Sequence, residues 1–164
     1  MEKLSIAIDG TSGSGKSTAA KNVAKALGIE YIDTGAMYRA AAYKALSLGV
    51  PADDEEAVGR MLEDTDIDFV GGNIILDGEN VNDRIRTLEI SEAASRISKL
   101  ASCREKLVNI QRKIAAARSV VMDGRDIGTN VLPQASHKFY VTASLEARTE
   151  RRLKELLEKG ENAT

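Results

Sequence analysis

Lys16 and Ser17 close an eight-residue run, Gly10-Thr11-Ser12-Gly13-Ser14-Gly15-Lys16-Ser17, that satisfies the pattern G-x-x-x-x-G-K-[ST] at every fixed position. An ammonium, hydroxyls and flexible backbone at this spacing suit the binding of phosphate. Backbone N–H groups of the loop and of a following helix N-terminus point at anionic oxygens, and the helix dipole adds partial positive charge. Gly10, Gly13 and Gly15 let the main chain come close to the ligand. Lys16 can reach the β- and γ-phosphates, and the Ser17 hydroxyl can ligate Mg²⁺. Thr11, Ser12, Ser14 and Thr18 complete the expected phosphate cradle. Two arginines carry the next chemical hint. Transfer of a phosphoryl group to a second phosphate brings two anions together and needs cations at the acceptor. Arg39 and Arg125 each follow an acidic residue at the end of an apolar stretch. Their planar forks suit bidentate phosphate binding, although a salt bridge with Asp33 or Asp126 is the plainer alternative.

These residues need elements to hold them. Leu4–Ile8 reads as a short buried strand, and Thr18–Leu27 as a helix ending at Gly28. Glu30–Asp33 reads as a second strand. Gly35–Leu48 reads as a helix with Met37, Ala41, Ala45 and Leu48 on one face. Pro51–Asp54 makes a turn and cap for a small helix through Leu62. The alternating segment Asp66–Val70, then Gly71-Gly72, Asn73–Leu76, Asp77-Gly78 and Glu79–Asn82, predicts a small antiparallel hairpin insert. Helix follows from about Glu89 to Ala117, with a break predicted near Ser102 because Ser102-x-x-Glu105 resembles a capping box. Ser119–Asp123 and Lys138–Thr142 read as strands, and Glu146–Lys159 as a charged helix that Gly160 ends. Strand alternating with helix predicts an α/β fold: a parallel sheet of the P-loop NTPase type with flanking helices and a small antiparallel β insert. Ligands bind such sheets beyond the carboxyl ends of the strands, where Asp9, Asp33-Thr34 and Asp123-Gly124-Arg125-Asp126 fall. The expected organisation is a core in two parts, 1–62 and 102–164, interrupted by an insert at 63–101.

Composition narrows the function classes. The chain has 164 residues, 43% hydrophobic and 29% charged, enough for one domain with a real core. A net charge of −2 argues against nucleic acid or an anionic membrane as partner. No apolar run is long enough to span a bilayer, and the first strand begins too early to leave room for a signal peptide. Cys103 is the sole cysteine, expected as a packing residue in a reducing cytoplasm. His137, the sole histidine, is expected at the surface where a strand begins. No Asn-Lys-x-Asp motif is present, which disfavours a GTPase, and the chain is too short for a helicase core.

Three motifs in order now carry a resemblance. Asp33-Thr34-Gly35-Ala36-Met37-Tyr38-Arg39 resembles the D-[ST]-G-A-x-Y-R signature of bacterial cytidylate kinases, and Asp123-Gly124-Arg125-Asp126-Ile127-Gly128-Thr129 resembles their D-G-R-D-x-G-T signature. The insert at Asn73–Arg86, with Ser91–Ser95 after it, is similar to the small extra domain of that family, which makes 63–101 the expected CMP-binding insert. The resemblance implies ATP-dependent phosphorylation of CMP and dCMP. It implies that Arg39 and Arg125 bind the acceptor phosphate and that Thr34 lies near the acceptor nucleotide. Ser95, Arg104 and Asp126 would read the cytosine edge, and Asp123 would lie near Mg²⁺. Donor and acceptor types agree, because a carboxylate suits the cytosine amino group and an arginine or hydroxyl its acceptors. Arg104 also sits oddly, a cation in a first helical turn on a face otherwise formed by Leu107, Val108 and Ile114.

Such kinases usually continue into a lid with further arginines, a last strand and a final helix. This sequence ends at Thr164, and Arg148, Arg151 and Arg152 resemble the basic start of that lid. Two other readings remain open at this stage: a P-loop kinase for another small molecule, and a truncated, non-catalytic nucleotide-binding module. A monomer is expected, though no residue pattern speaks to oligomeric state.

Overall fold

The structure, a computed structural model, describes residues 3–11, 13–142 and 153–154. Packing divides these residues into two compact units. One comprises the described residues up to Tyr31 and from Arg118 onward, and the other is Ile32–Ala117.

In the first unit, strand β1 (Ser5–Gly10) lies between β6 (Val120–Gly124) and β7 (His137–Val141), parallel to both. Strand β2 (Glu30–Asp33) lies beyond β6 and carries the chain into the second unit, so the sheet order is β2-β6-β1-β7. Register sets Ile8 opposite Asp123 on one side and Phe139 on the other. Helix α1 (Lys16–Leu27) packs Ala20 and Ala24 onto Ile6, Ile8 and Val121, with Val23, Ile29 and Tyr31 around them. Gly28 closes the helix in the left-handed region at φ 66°, as a C-terminal glycine does. A single π-helical turn, Ile127–Val131, follows β6, with no local residue pattern to predict it. His137 is exposed at the start of β7, as expected.

The second unit holds α2 (Thr34–Leu48), α3 (Glu55–Glu63), a three-stranded antiparallel sheet, α4 (Leu88–Ile97) and α5 (Ala101–Ala117). The sheet is β3 (Ile67–Val70), β4 (Asn73–Leu76) and β5 (Glu79–Asn80), in that order. Both connections are two-residue turns. Gly71 and Gly72 have φ 58° and 81°, and Asp77 and Gly78 have φ 49° and 86°. Left-handed φ at both central positions is what a type I′ hairpin requires. Helix α2 buries Ala40, Ala41, Ala42 and Ala45 completely, small side chains that let α4 pack closely. This unit takes in the hairpin and α4 of the expected 63–101 insert together with α2, α3 and α5.

Two local expectations are corrected. The helical break falls at 98–100, and Ser102 lies within the first turn of α5. The capping role there belongs to Glu55 of α3, whose Oε1 accepts the Ser102 N–H at 2.8 Å, while the Ser102 hydroxyl donates to the Glu55 carbonyl. Leu48 is 62% exposed, because it ends α2 beyond the packed alanines, whereas Met37, Ala41 and Ala45 are buried as expected. Cys103 is wholly buried, and burial, helped by nearby Glu55, pushes its thiol up to about 12, which keeps it protonated and inert. The expected helix at 146–159 lies outside the described residues except for Leu153 and Lys154, which are helical.

Lys44 of α2 ties the hairpin down. Its ammonium donates to the Asp64 carbonyl, to Thr65 Oγ1 at 2.9 Å and to Asp77 Oδ2 at 2.6 Å. Burial alone would raise the Asp77 carboxyl, but the Asp66 N–H and the Lys44 hydrogen bond and charge hold it below its ordinary value of 3.8. A depressed carboxyl stabilises the fold above its unfolded pKa and loses that contribution as pH falls through the lower folded one. Asp77→Asn keeps the turn geometry and the Asp66 bond but removes the ion pair. Urea unfolding at pH 7 is expected to show a loss of about 0.5 kcal/mol, the scale of a partly exposed pair after solvent screening. The difference from wild type is expected to shrink once pH falls below ~4, and to vanish only below the depressed folded pKa of Asp77.

Candidate phosphate-transfer site

The phosphate loop leaves β1 at Gly10 and enters α1 at Lys16. Gly13 and Gly15 have φ 74° and 91°, a backbone that a side chain would strain. Gly10 is required for a different reason. A Cβ there would lie 2.5 Å from the Val141 carbonyl oxygen and 2.8 Å from Ser14 Oγ. Gly15 supplies no side-chain cap, so the first N–H groups of α1 are not consumed by one and remain to serve an anion. Ser14 is buried, and its hydroxyl has no hydrogen-bond partner among the described residues. A buried, unsatisfied donor beside helix N–H groups suits a ligand oxygen. Lys16, Ser17 and Thr11 are half-buried and Thr18 is exposed, while Ser12 lies outside the described residues.

Parallel register brings the second motif to the same edge. Asp9 stands opposite Gly124, so the loop and the segment Asp123–Asp126 leave adjacent strands side by side. Asp123 is 1% exposed and accepts the Tyr31 hydroxyl at 2.8 Å. The Tyr31 ring in turn lies 5.8 Å from Lys21 Nζ, within cation–π range. Arg125 is exposed. Asp126 opens the π-helical turn: its carbonyl accepts the N–H groups of Asn130 and Val131, and its carboxylate accepts from Asn130 Nδ2 at 3.3 Å. Asp9, 7% exposed, accepts the Ile127 N–H at 2.7 Å and the Gly128 N–H at 2.8 Å.

In the second unit, Asp33 does two jobs. Its Oδ1 accepts the Ala36 N–H and caps α2, while Oδ2 pairs with Arg39 at 3.2 Å and lies 3.9 Å from Arg86. The salt bridge foreseen as the plainer role of Arg39 is therefore present, and it also orients the guanidinium. Gly35 leaves room for this pair, since a Cβ there would lie 3.1 Å from Arg39 Nη1 and 3.2 Å from Asp33 Oδ1. Thr34 is buried at the start of α2. Arg104 is half-buried on α5 near the buried Leu107, Val108 and Ile114, and Ser95 is exposed on α4. Lys16, Ser17, Asp123, Arg125 and Asp126 thus belong to the first unit, and Thr34, Arg39, Ser95 and Arg104 to the second.

Sequence reasoning missed the roles of Asp9 and Tyr31. Asp9 gave one usable signal, a carboxylate immediately before the loop. Tyr31 gave none, because its partner is 92 residues away.

A glycine-rich loop between a parallel strand and a helix, with acidic and basic groups at the end of the adjacent strand, defines a P-loop α/β nucleotide-binding protein. Residues 6–164 match the family model described as Cytidylate kinase. The chain is 51% identical over its whole length to "Cytidylate kinase" of Clostridioides difficile, covering 76% of that protein. It is 49% identical over 98% of its length to "Cytidylate kinase" of Alkaliphilus oremlandii, covering 74% of it. Identity is 52% over 96% of the chain to "Cytidylate kinase" of Caldanaerobacter subterraneus subsp. tengcongensis, covering 70% of it. The chain belongs to the cytidylate kinase family and is a phosphotransferase of the nucleoside monophosphate kinase class. Among the described residues, no helix is long and apolar enough to cross a membrane.

Gly10→Ala is expected to cost about 1–3 kcal/mol in urea unfolding, since the new methyl meets backbone and not a flexible side chain. Ser14→Ala, which deletes an unsatisfied hydroxyl, is expected to leave stability unchanged or slightly higher in the same measurement.

Proposed function

We propose that this protein transfers the γ-phosphoryl group of ATP to CMP or dCMP, giving ADP and the nucleoside diphosphate. The observation that carries the reading is the register of β1 and β6, which sets Asp123-Gly124-Arg125-Asp126 beside the phosphate loop, in a chain of the cytidylate kinase family. Family membership favours this over a non-catalytic nucleotide-binding module, and the Asp33–Arg39 and Asp123–Thr129 segments favour it over another small-molecule kinase.

In this reading the loop residues Gly10–Thr18 hold the ATP phosphates, and Lys16 stabilises charge on the β- and γ-oxygens. Arg39 and Arg125 bind the acceptor phosphate. The acceptor is already an anion, so no histidine base is needed, and the work is positioning and charge neutralisation. Asp126 accepts from the cytosine amino group, while Arg104 and Ser95 serve its acceptor atoms, with Thr34 near the nucleotide. The segment 63–101, which carries Ser95, is the CMP-binding insert. Mg²⁺ is favoured by few protein oxygens plus substrate phosphates, which the Ser17 hydroxyl and the buried Asp123 carboxylate suit. When bound, it neutralises phosphate charge during transfer.

Lys16→Ala is expected to lower transfer at least about a hundredfold in a coupled ADP-release assay, the scale of one lost transition-state charge contact, with circular dichroism unchanged. Wild-type turnover would remove the loop assignment. Arg104→Ala or Asp126→Ala is expected to raise KM for CMP about tenfold while KM for ATP moves less than about twofold. Equal rises in both would refute base reading.

A further inference from the structure

We infer that Asp9 is a positioning residue whose carboxylate locks the turn after Arg125 and Asp126 to the strand that delivers the phosphate loop. The inference rests on the proposed function, in which Arg125 and Asp126 serve the acceptor nucleotide. Asp9 does not reach substrate in this role; it acts through the turn.

Both oxygens of Asp9 are used. Oδ1 accepts the Ile127 N–H at 2.7 Å and Oδ2 the Gly128 N–H at 2.8 Å, across 118 and 119 residues of sequence. These donors open the π-helical turn Ile127–Val131, where N–H groups lack partners within the turn. Charge-assisted bonds from a buried carboxylate are short and directional, and the buried carboxylate needs them in return. Gly128 is the matching half. A Cβ there would lie 3.3 Å from Asp9 Oδ2 and 3.2 Å from Lys138 Cδ, so a methyl group would press the carboxylate away from the amides by a few tenths of an ångström.

The consequence lies in what flanks the clamp. Gly10, the first residue of the loop, follows Asp9 directly, and Arg125 and Asp126 directly precede Ile127. The backbone of Asp9 is independently held by pairing with Gly124 and Tyr140. Loss of the carboxylate therefore frees the turn and leaves the strand and loop in place. Asp9 sets where the acceptor groups stand relative to a loop that other bonds already fix.

Asp9→Asn is the direct test, because an amide of the same shape must turn its NH₂ toward one of the two N–H groups. Calorimetry is to be run with CMP, UMP and ADP separately on wild type and variant. The expected result is a CMP dissociation constant raised about tenfold and a CMP-over-UMP preference reduced about fivefold, with ADP affinity within about threefold of wild type, set against the roughly hundredfold cost of an ångström's misplacement. Preference is a ratio, so a smaller folded fraction does not alter it. Gly128→Ala attacks the same clamp from the turn and is expected to shift preference in the same direction. It decides the matter should Asp9→Asn not fold. Unchanged CMP affinity and preference in a folded variant, or equal losses of CMP and ADP affinity, would overturn the inference. A wild-type protein that binds UMP as well as CMP would instead overturn the functional reading, and the inference with it.

Discussion

Parallel pairing of β1 with β6, Ile8 opposite Asp123, is the constraint on which the chemistry of the first unit depends. A parallel ladder places two carboxyl ends at one edge, and every peptide leaving that edge begins within one strand spacing of the next. The phosphate loop and the acidic and basic cluster after β6 are neighbours for that reason alone. Their side chains then divide the work. Asp123 turns inward to Tyr31, Asp9 reaches across to the turn, and Arg125 stays at the surface.

Carboxylates organise both units, always by accepting from groups that also serve something else. Asp33 ends a strand, caps α2 and holds Arg39 through one side chain. Glu55 lies in the first turn of α3 and accepts from the first turn of α5. Asp77 sits in a left-handed turn and anchors Lys44. Asp33 and Asp77 each satisfy a backbone N–H and fix a cation, Arg39 and Lys44, with one side chain.

Elements with a strong local cause were readable from the sequence. The loop, both I′ turns, the Asp54 cap of α3 and the glycine end of α1 each follow from residues within a few positions of one another. The features that escaped all depend on distant partners. Ser102 looks like a cap, but an α3 carboxylate reaches its N–H first. The π-helical turn is stabilised by a carboxylate over a hundred residues away, and no local propensity announces it. For the site, the charged positions could be read from motif spacing. The Asp33–Arg39 pair could be read as well, but the hold of Asp9 on the turn could not, because it spans 118 residues and its clearance at Gly128 is a matter of tenths of an ångström.

The two units differ in how far along the chain their contacts reach, and this has a consequence for assembly on the ribosome. The Ile32–Ala117 unit is continuous, and its sheet is built from adjacent strands joined by two-residue turns. Its contacts can form as soon as that stretch has emerged. The other unit is split. Its first hydrogen bond between β1 and the approach to β6, Leu4 to Ser119, closes 115 residues, and β7 comes later still. Closing so long a loop is entropically slow when the intervening chain is unstructured. A middle segment that has already collapsed shortens the effective loop. The nucleotide cradle is thus synthesised before the middle segment and completed after it, with β1 waiting for both of its partners while the middle of the chain folds.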